Sequence, residues 1–189
     1  MDKNLVANLE DYQIEDPMRV IRDFFSFTWL PRHLQMLEQW RDAVALEERP
    51  NIKEWPTELL FHHELIVNLL EASWLLRNDR LGKIFIKEGR ENDIAKDFIK
   101  RETKTLRDYP KRLKIRETIM PYKVLKKTFS QFSLDDYRRI LKTWVYDALS
   151  SKWSVDSLCK YEIIPVYDNL ARLFEACWLI HEREKGEKN

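Results

Sequence analysis

Apolar positions recur along the chain at intervals of three and four residues, the spacing that puts side chains on one face of an α-helix. At about 100° per residue, positions 59, 62, 66, 69, 70, 73 and 76 share a face, and so do 163, 166, 170, 173, 174, 177 and 180. Leu60, Val67 and Trp74 widen the first stripe beyond that of a surface helix. This predicts two central helices, each packed on two sides.

The two stripes lie 104 residues apart, and that offset reaches well beyond them. Pro17 falls on Pro121, Val20 on Val124, and Phe25-Ser26 on Phe129-Ser130. Leu30, Leu37 and Trp40 fall on Leu134, Leu141 and Trp144, and Glu58 falls on Glu162. The clearest match sets Leu69-Leu70-Glu71-Ala72-Ser73-Trp74-Leu75-Leu76 on Leu173-Phe174-Glu175-Ala176-Cys177-Trp178-Leu179-Ile180. Over 66 ungapped positions, from Pro17 to Gly82, 14 are identical, where average residue usage gives about four by chance. Two unrelated amphipathic helices would not keep one offset across three elements and two loops. The expected fold is all-α: a tandem duplication of a three-helix unit, packed about a pseudo-twofold axis into a helical bundle.

Each unit reads as a short helix followed by two long ones. Asp16-Pro17 is a helix start, with Asp as N-cap and Pro in the first turn. That helix runs to about residue 25, the next over about 30–48, and the third from residue 56 to about 80, with Gly82 as a C-cap candidate. In the second unit, Ser133-Leu134-Asp135-Asp136 is close to a capping box. The last helix is expected over about 157–184, with Gly186 beyond it. The organisation is therefore a tail at 1–16, unit one at 17–82, a connector at 83–120, unit two at 121–186 and a tail at 187–189, all in one compact domain. Within the connector, residues 91–104 read as a helix.

Composition agrees with helices. The 189 residues include only three Gly, too few for a β-sandwich or a phosphate loop fold. Seven Trp, seven Tyr and nine Phe argue against a disordered chain. Cys159 and Cys177, on or next to one helix, would be about 27 Å apart, too far for a disulfide. Free thiols, no apolar signal core near Met1 and no long apolar run lead to the expectation of a cytoplasmic protein with no membrane span.

Charge changes the picture more. The net charge is +1, yet residues 83–127 hold fifteen Lys and Arg against seven Asp and Glu, while residues 1–82 hold nine against fifteen. One reading is a phosphate-contacting strip formed by Lys100, Arg101, Lys104, Arg107, Lys111, Arg112, Lys114 and Arg116. The plainer one is a solvated connector that offsets the acidic first unit.

Candidate chemistry is sparse. Glu58 and His62 stand at i and i+4, a spacing that can chelate a metal, but Val166 replaces His62 in the second unit. Glu71 and Glu175 are kept in both units, each with a carboxylate one heptad earlier, Glu64 or Asp168. If the units face one another, these four carboxylates could converge on a cation. The plainer reading gives each Glu a basic partner or an indole N–H from Trp40 or Trp144. Trp40, Trp74, Trp144 and Trp178 read as structural core. Trp29, Trp55 and Trp153, unmatched, read as core caps or surface hot spots. No nucleophile elbow or phosphate loop is present, and no His has the upstream Arg of the small helical ribonucleases. The expectation is a non-enzymatic protein-interaction or regulatory module, such as a bacterial accessory protein, with a protein partner and no cofactor. A nucleic-acid-binding protein using the connector and a metal-binding bundle are the alternatives.

Overall fold

The computed structural model describes residues 5–45, 56–84, 91–150 and 160–186, and these hold helices and no strand. The helices are α1 (Asp11–Glu15), α2 (Pro17–Phe27), α3 (Leu30–Ala45), α4 (Pro56–Leu76), α5 (Glu91–Thr105), α6 (Ile115–Ile119), α7 (Tyr122–Thr128), α8 (Leu134–Leu149) and α9 (Lys160–Gly186). Among the described residues no helix is long and apolar enough to cross a membrane. Cys159, Trp55 and Trp153 lie outside the described residues.

All fourteen positions of the two predicted stripes are buried. Helix α4 packs on α2, α7 and α8, and α9 packs on α7, α3 and α2, so both are central. Leu60, expected to widen the apolar face, instead points to solvent at 49% exposure, as does Ile164, its counterpart 104 residues on. Val67 is buried, and Trp74 half-buried.

Packing is reciprocal at the 104-residue offset. Helix α2 lies on α4 as α7 lies on α9, whereas α3 lies on α9 as α8 lies on α4, and α3 meets α8. The first long helix of each unit, α3 or α8, thus packs on the other half of the molecule. Residues 104 apart touch one another where the halves meet. The Trp40 and Trp144 rings stand edge to face, 5.5 Å between centroids, and Ser73 Oγ lies 3.7 Å from Cys177 Sγ. Trp40 and Trp144 are fully buried, while Trp74 and Trp178 are half-buried against the same core.

Two short helices lie in segments expected as tail and connector. Helices α1 and α6 have bounds 104 residues apart. Each is preceded by the same turn: Gln13 Oε1 accepts the Glu10 N–H at 3.0 Å, and Glu117 Oε2 accepts the Lys114 N–H at 3.0 Å. Ser133 caps α8 as expected, its Oγ accepting the Asp136 N–H at 3.1 Å. Asp16 is the N-cap residue of α2, but its side chain makes no capping hydrogen bond and pairs with Arg22.

Gly82 does not close α4, which ends at Leu76. It sits at φ 60°, and a Cβ there would come within 3.2 Å of Ile180 Cα and of Pro121 Cγ. The left-handed conformation and this crowding both demand glycine. Beside it, Arg183 donates to the Gly82 and Thr118 carbonyls at 2.7 and 2.8 Å and pairs with Glu102 at 2.7 and 2.8 Å. That network fixes α5 to the end of α9.

Candidate functional site: a basic groove floored by aromatic rings

The two matched glutamates are occupied separately. Glu71 is fully buried and accepts the backbone N–H groups of Ala7, Asn8 and Leu9 at 3.2, 2.9 and 3.2 Å, the Asn8 side-chain amide at 2.6 Å, and Arg138 Nε at 3.0 Å. Glu175 is 1% exposed and accepts the Lys111 and Arg112 N–H groups at 3.1 and 2.7 Å, with the Arg112 guanidinium 3.6 Å away. The amide donors are again 104 residues apart. Each carboxylate fastens the segment ahead of α1 or α6, so neither indole N–H of Trp40 and Trp144 reaches it; both find no acceptor among the described residues. Glu64 and Asp168 are exposed, and Glu58 pairs with Arg32 at 3.1 Å. Among the described residues no group of three or more His, Cys, Asp and Glu gathers to hold a metal ion.

His62 belongs to an aromatic cluster. Its Nε2 lies 3.4 Å from His33 Nδ1, and His33 Nε2 lies 2.8 Å from the Phe24 carbonyl. A carbonyl accepts only, so His33 carries its proton on Nε2 and takes the His62 N–H on Nδ1. Phe24 stacks on His33 at 3.8 Å. Burial lowers the pKa of His33 to about 4 and that of His62 to about 3, so both are neutral. In the other half, Tyr137 OH donates to the Thr128 carbonyl at 2.9 Å, the same link 104 residues on. Cys177 is free and fully buried; burial pushes its thiol up to about 12, which removes it as a nucleophile.

The connector cations divide in two. Arg107 lies over the exposed Trp29 ring at 4.4 Å, and Arg112 reaches Glu175 and the Tyr167 hydroxyl. Lys100, Arg101, Lys104, Lys111, Lys114 and Arg116 are exposed.

A basic concavity lies elsewhere, between the end of α4 and helix α7. It is an open groove of about 620 Å³, lined by Trp74, Arg77, Lys123, Lys126, Lys127, Phe129 and Ser130. The lining holds four cationic side chains and no carboxylate. Trp74 and Phe129 meet edge to face at 5.1 Å, and the Arg77 guanidinium lies 3.6 Å over the Trp74 ring, donating to the Trp74 carbonyl. Lys123 and Lys126 are exposed and make no ion pair among the described residues, while Lys127 is 3.7 Å from Glu117. Positions 123, 126 and 127 fall on one face of α7 because they are spaced i, i+3 and i+4. These lysines belong to the basic stretch at 83–127, but the strip expected from sequence ends at Arg116, before α7. The missed signal was their helical spacing above a matched aromatic, Phe129.

The corresponding surface of the other half carries Arg19, Arg22, Asp23 and His181 at the places of Lys123, Lys126, Lys127 and Arg77. There Arg19 pairs with Asp23 at 3.9 Å, Arg22 pairs with Asp16, and burial lowers the His181 pKa to about 4. The neighbouring pocket mixes Asp16 and Glu184 with Arg22 and Lys185. One half is neutralised where the other is strongly positive.

No known protein family, curated protein or solved structure matches the chain.

Proposed function

We propose that this chain is a non-enzymatic binding module: a tandem duplication of one helical unit, packed about a pseudo-twofold axis, that captures an anionic partner in the α4–α7 groove. The duplication is supported by the reciprocal packing, the paired glutamate anchors and the two carbonyl links at one offset. On this reading the unit starts near residue 7, ahead of α1, and its second copy near residue 111. The connector shrinks accordingly, and part of its charge belongs to the second unit.

The observation that carries the function is the contrast between equivalent surfaces. The frame is shared, but four cations face one groove while ion pairs neutralise the other. Mutual repulsion among four clustered cations disfavours the free protein, and a bound anion relieves it.

Charge reversal tests the reading. Lys123→Glu with Lys126→Glu is expected to abolish retention on an immobilised polyanion at low salt, whereas Arg19→Glu with Arg22→Glu is expected to leave it nearly intact. Equal effects from both pairs would refute the assignment to this groove.

A further inference from the structure

We infer that the anionic partner is a single-stranded nucleic acid, with a base stacked on the floor of the groove and its phosphates on α7; this rests on the anion-binding reading above. Two features separate such a strand from other polyanions. The first is the floor. An electrostatic site needs no aromatic surface, yet Trp74 and Phe129 line this groove beside the lysines, with the planar Arg77 guanidinium laid on Trp74. Aromatic rings and guanidinium planes are the surfaces on which unpaired bases stack, and the contact tolerates any base because each has a π-face. The second is the arrangement of charge. Lys123 and Lys127 stand one turn apart, about 6 Å along the helix axis, so the cations form a row that can follow neighbouring phosphates. Arg77 supplies a fourth charge from α4. A duplex keeps its base faces stacked inside, so it would use the row with its phosphates and leave the floor without a stacked base.

The groove is open to solvent rather than enclosed, so it does not confine a free nucleotide.

The test compares three probes at matched low salt by fluorescence anisotropy or competition. They are an oligothymidylate of eight residues, an abasic phosphodiester of the same length and charge, and inorganic polyphosphate. The oligothymidylate is expected to bind tenfold or more tighter than the abasic strand, the range of one base stacked on an aromatic ring. Phe129→Ala is expected to erase that difference while keeping abasic binding. A second readout does not depend on this variant folding: photocrosslinking of a 5-bromouracil strand to the wild-type protein should mark Trp74 or Phe129. Equal binding of the oligothymidylate and abasic strands would overturn the strand assignment and leave polyanion binding standing. So would thymidine monophosphate competing as well as the octamer, or crosslinks confined to other segments. Failure of all three probes to bind would overturn both readings.

Discussion

Trp40 and Trp144 stand edge to face at an interplanar angle of 87°, their ring centroids 5.5 Å apart, each with no solvent exposure. They lie 104 residues apart, and on the proposed duplication their contact marks where the two halves meet. A symmetric interface brings a residue near the axis against its own equivalent, and Ser73 with Cys177 repeats the relationship.

Truncating either ring should therefore be severe. Trp40→Ala and Trp144→Ala are each expected to lower unfolding free energy by about 3–5 kcal/mol, the range for large aromatic deletions from a packed core. The double variant should lose less than the sum, with a coupling of about 1 kcal/mol from the lost ring pair. Denaturant unfolding of all four proteins measures it. Strict additivity would mean that the two rings do not support each other.

The glutamate anchors predict local effects. Glu71→Ala strands the Ala7, Asn8 and Leu9 amides and leaves Arg138 without its buried carboxylate. A loss of about 3 kcal/mol is expected, typical of breaking a buried charge pair from one side. Hydrogen exchange should accelerate first at residues 7–9. Glu175→Ala should act at residues 111 and 112 instead, and the two variants should leave each other's segment protected.

The histidine pair predicts acid sensitivity. Burial holds His33 and His62 at about 4 and 3, below the unfolded value near 6.5. The folded state thus binds fewer protons, so stability is complete above about pH 6.5 and falls as pH drops toward the folded values. At pH 5 the expected loss is about 2 kcal/mol for each ring. His62→Leu should flatten the stability profile between pH 7 and 5; an unchanged slope would contradict the assignment.

Gly82 offers a backbone test. Gly82→Ala must place a Cβ against Ile180 and Pro121 at positive φ. It is expected to destabilise by more than the roughly 1 kcal/mol at which glycine and alanine usually differ, read as a lower thermal midpoint.

Much of this was legible in sequence because apolar periodicity is enforced by burial. The seven stripe positions between 59 and 76, and the seven between 163 and 180, had to face a core, and their spacing showed it. Leu60 was misjudged because hydrophobicity alone does not say which side of a helix lacks a neighbour. The short helices α1 and α6 escaped notice because five residues span little more than one turn, and little beyond Leu9 and Leu113 matches between their segments. Their equivalence is carried by backbone amides on Glu71 and Glu175, and an amide leaves no trace in residue identity. The groove was obscured for another reason: Arg77 and Lys123 meet only after α4 and α7 pack, and sequence pattern gives no distance between them.

A single anion site on the proposed twofold frame can be counted by binding stoichiometry. Titration calorimetry with a short polyphosphate, at about 50 and 200 mM salt, should give one site per chain. With four cations engaged, affinity should fall roughly 60-fold or more between these salts. Two equivalent sites per chain, or affinity indifferent to salt, would contradict the account.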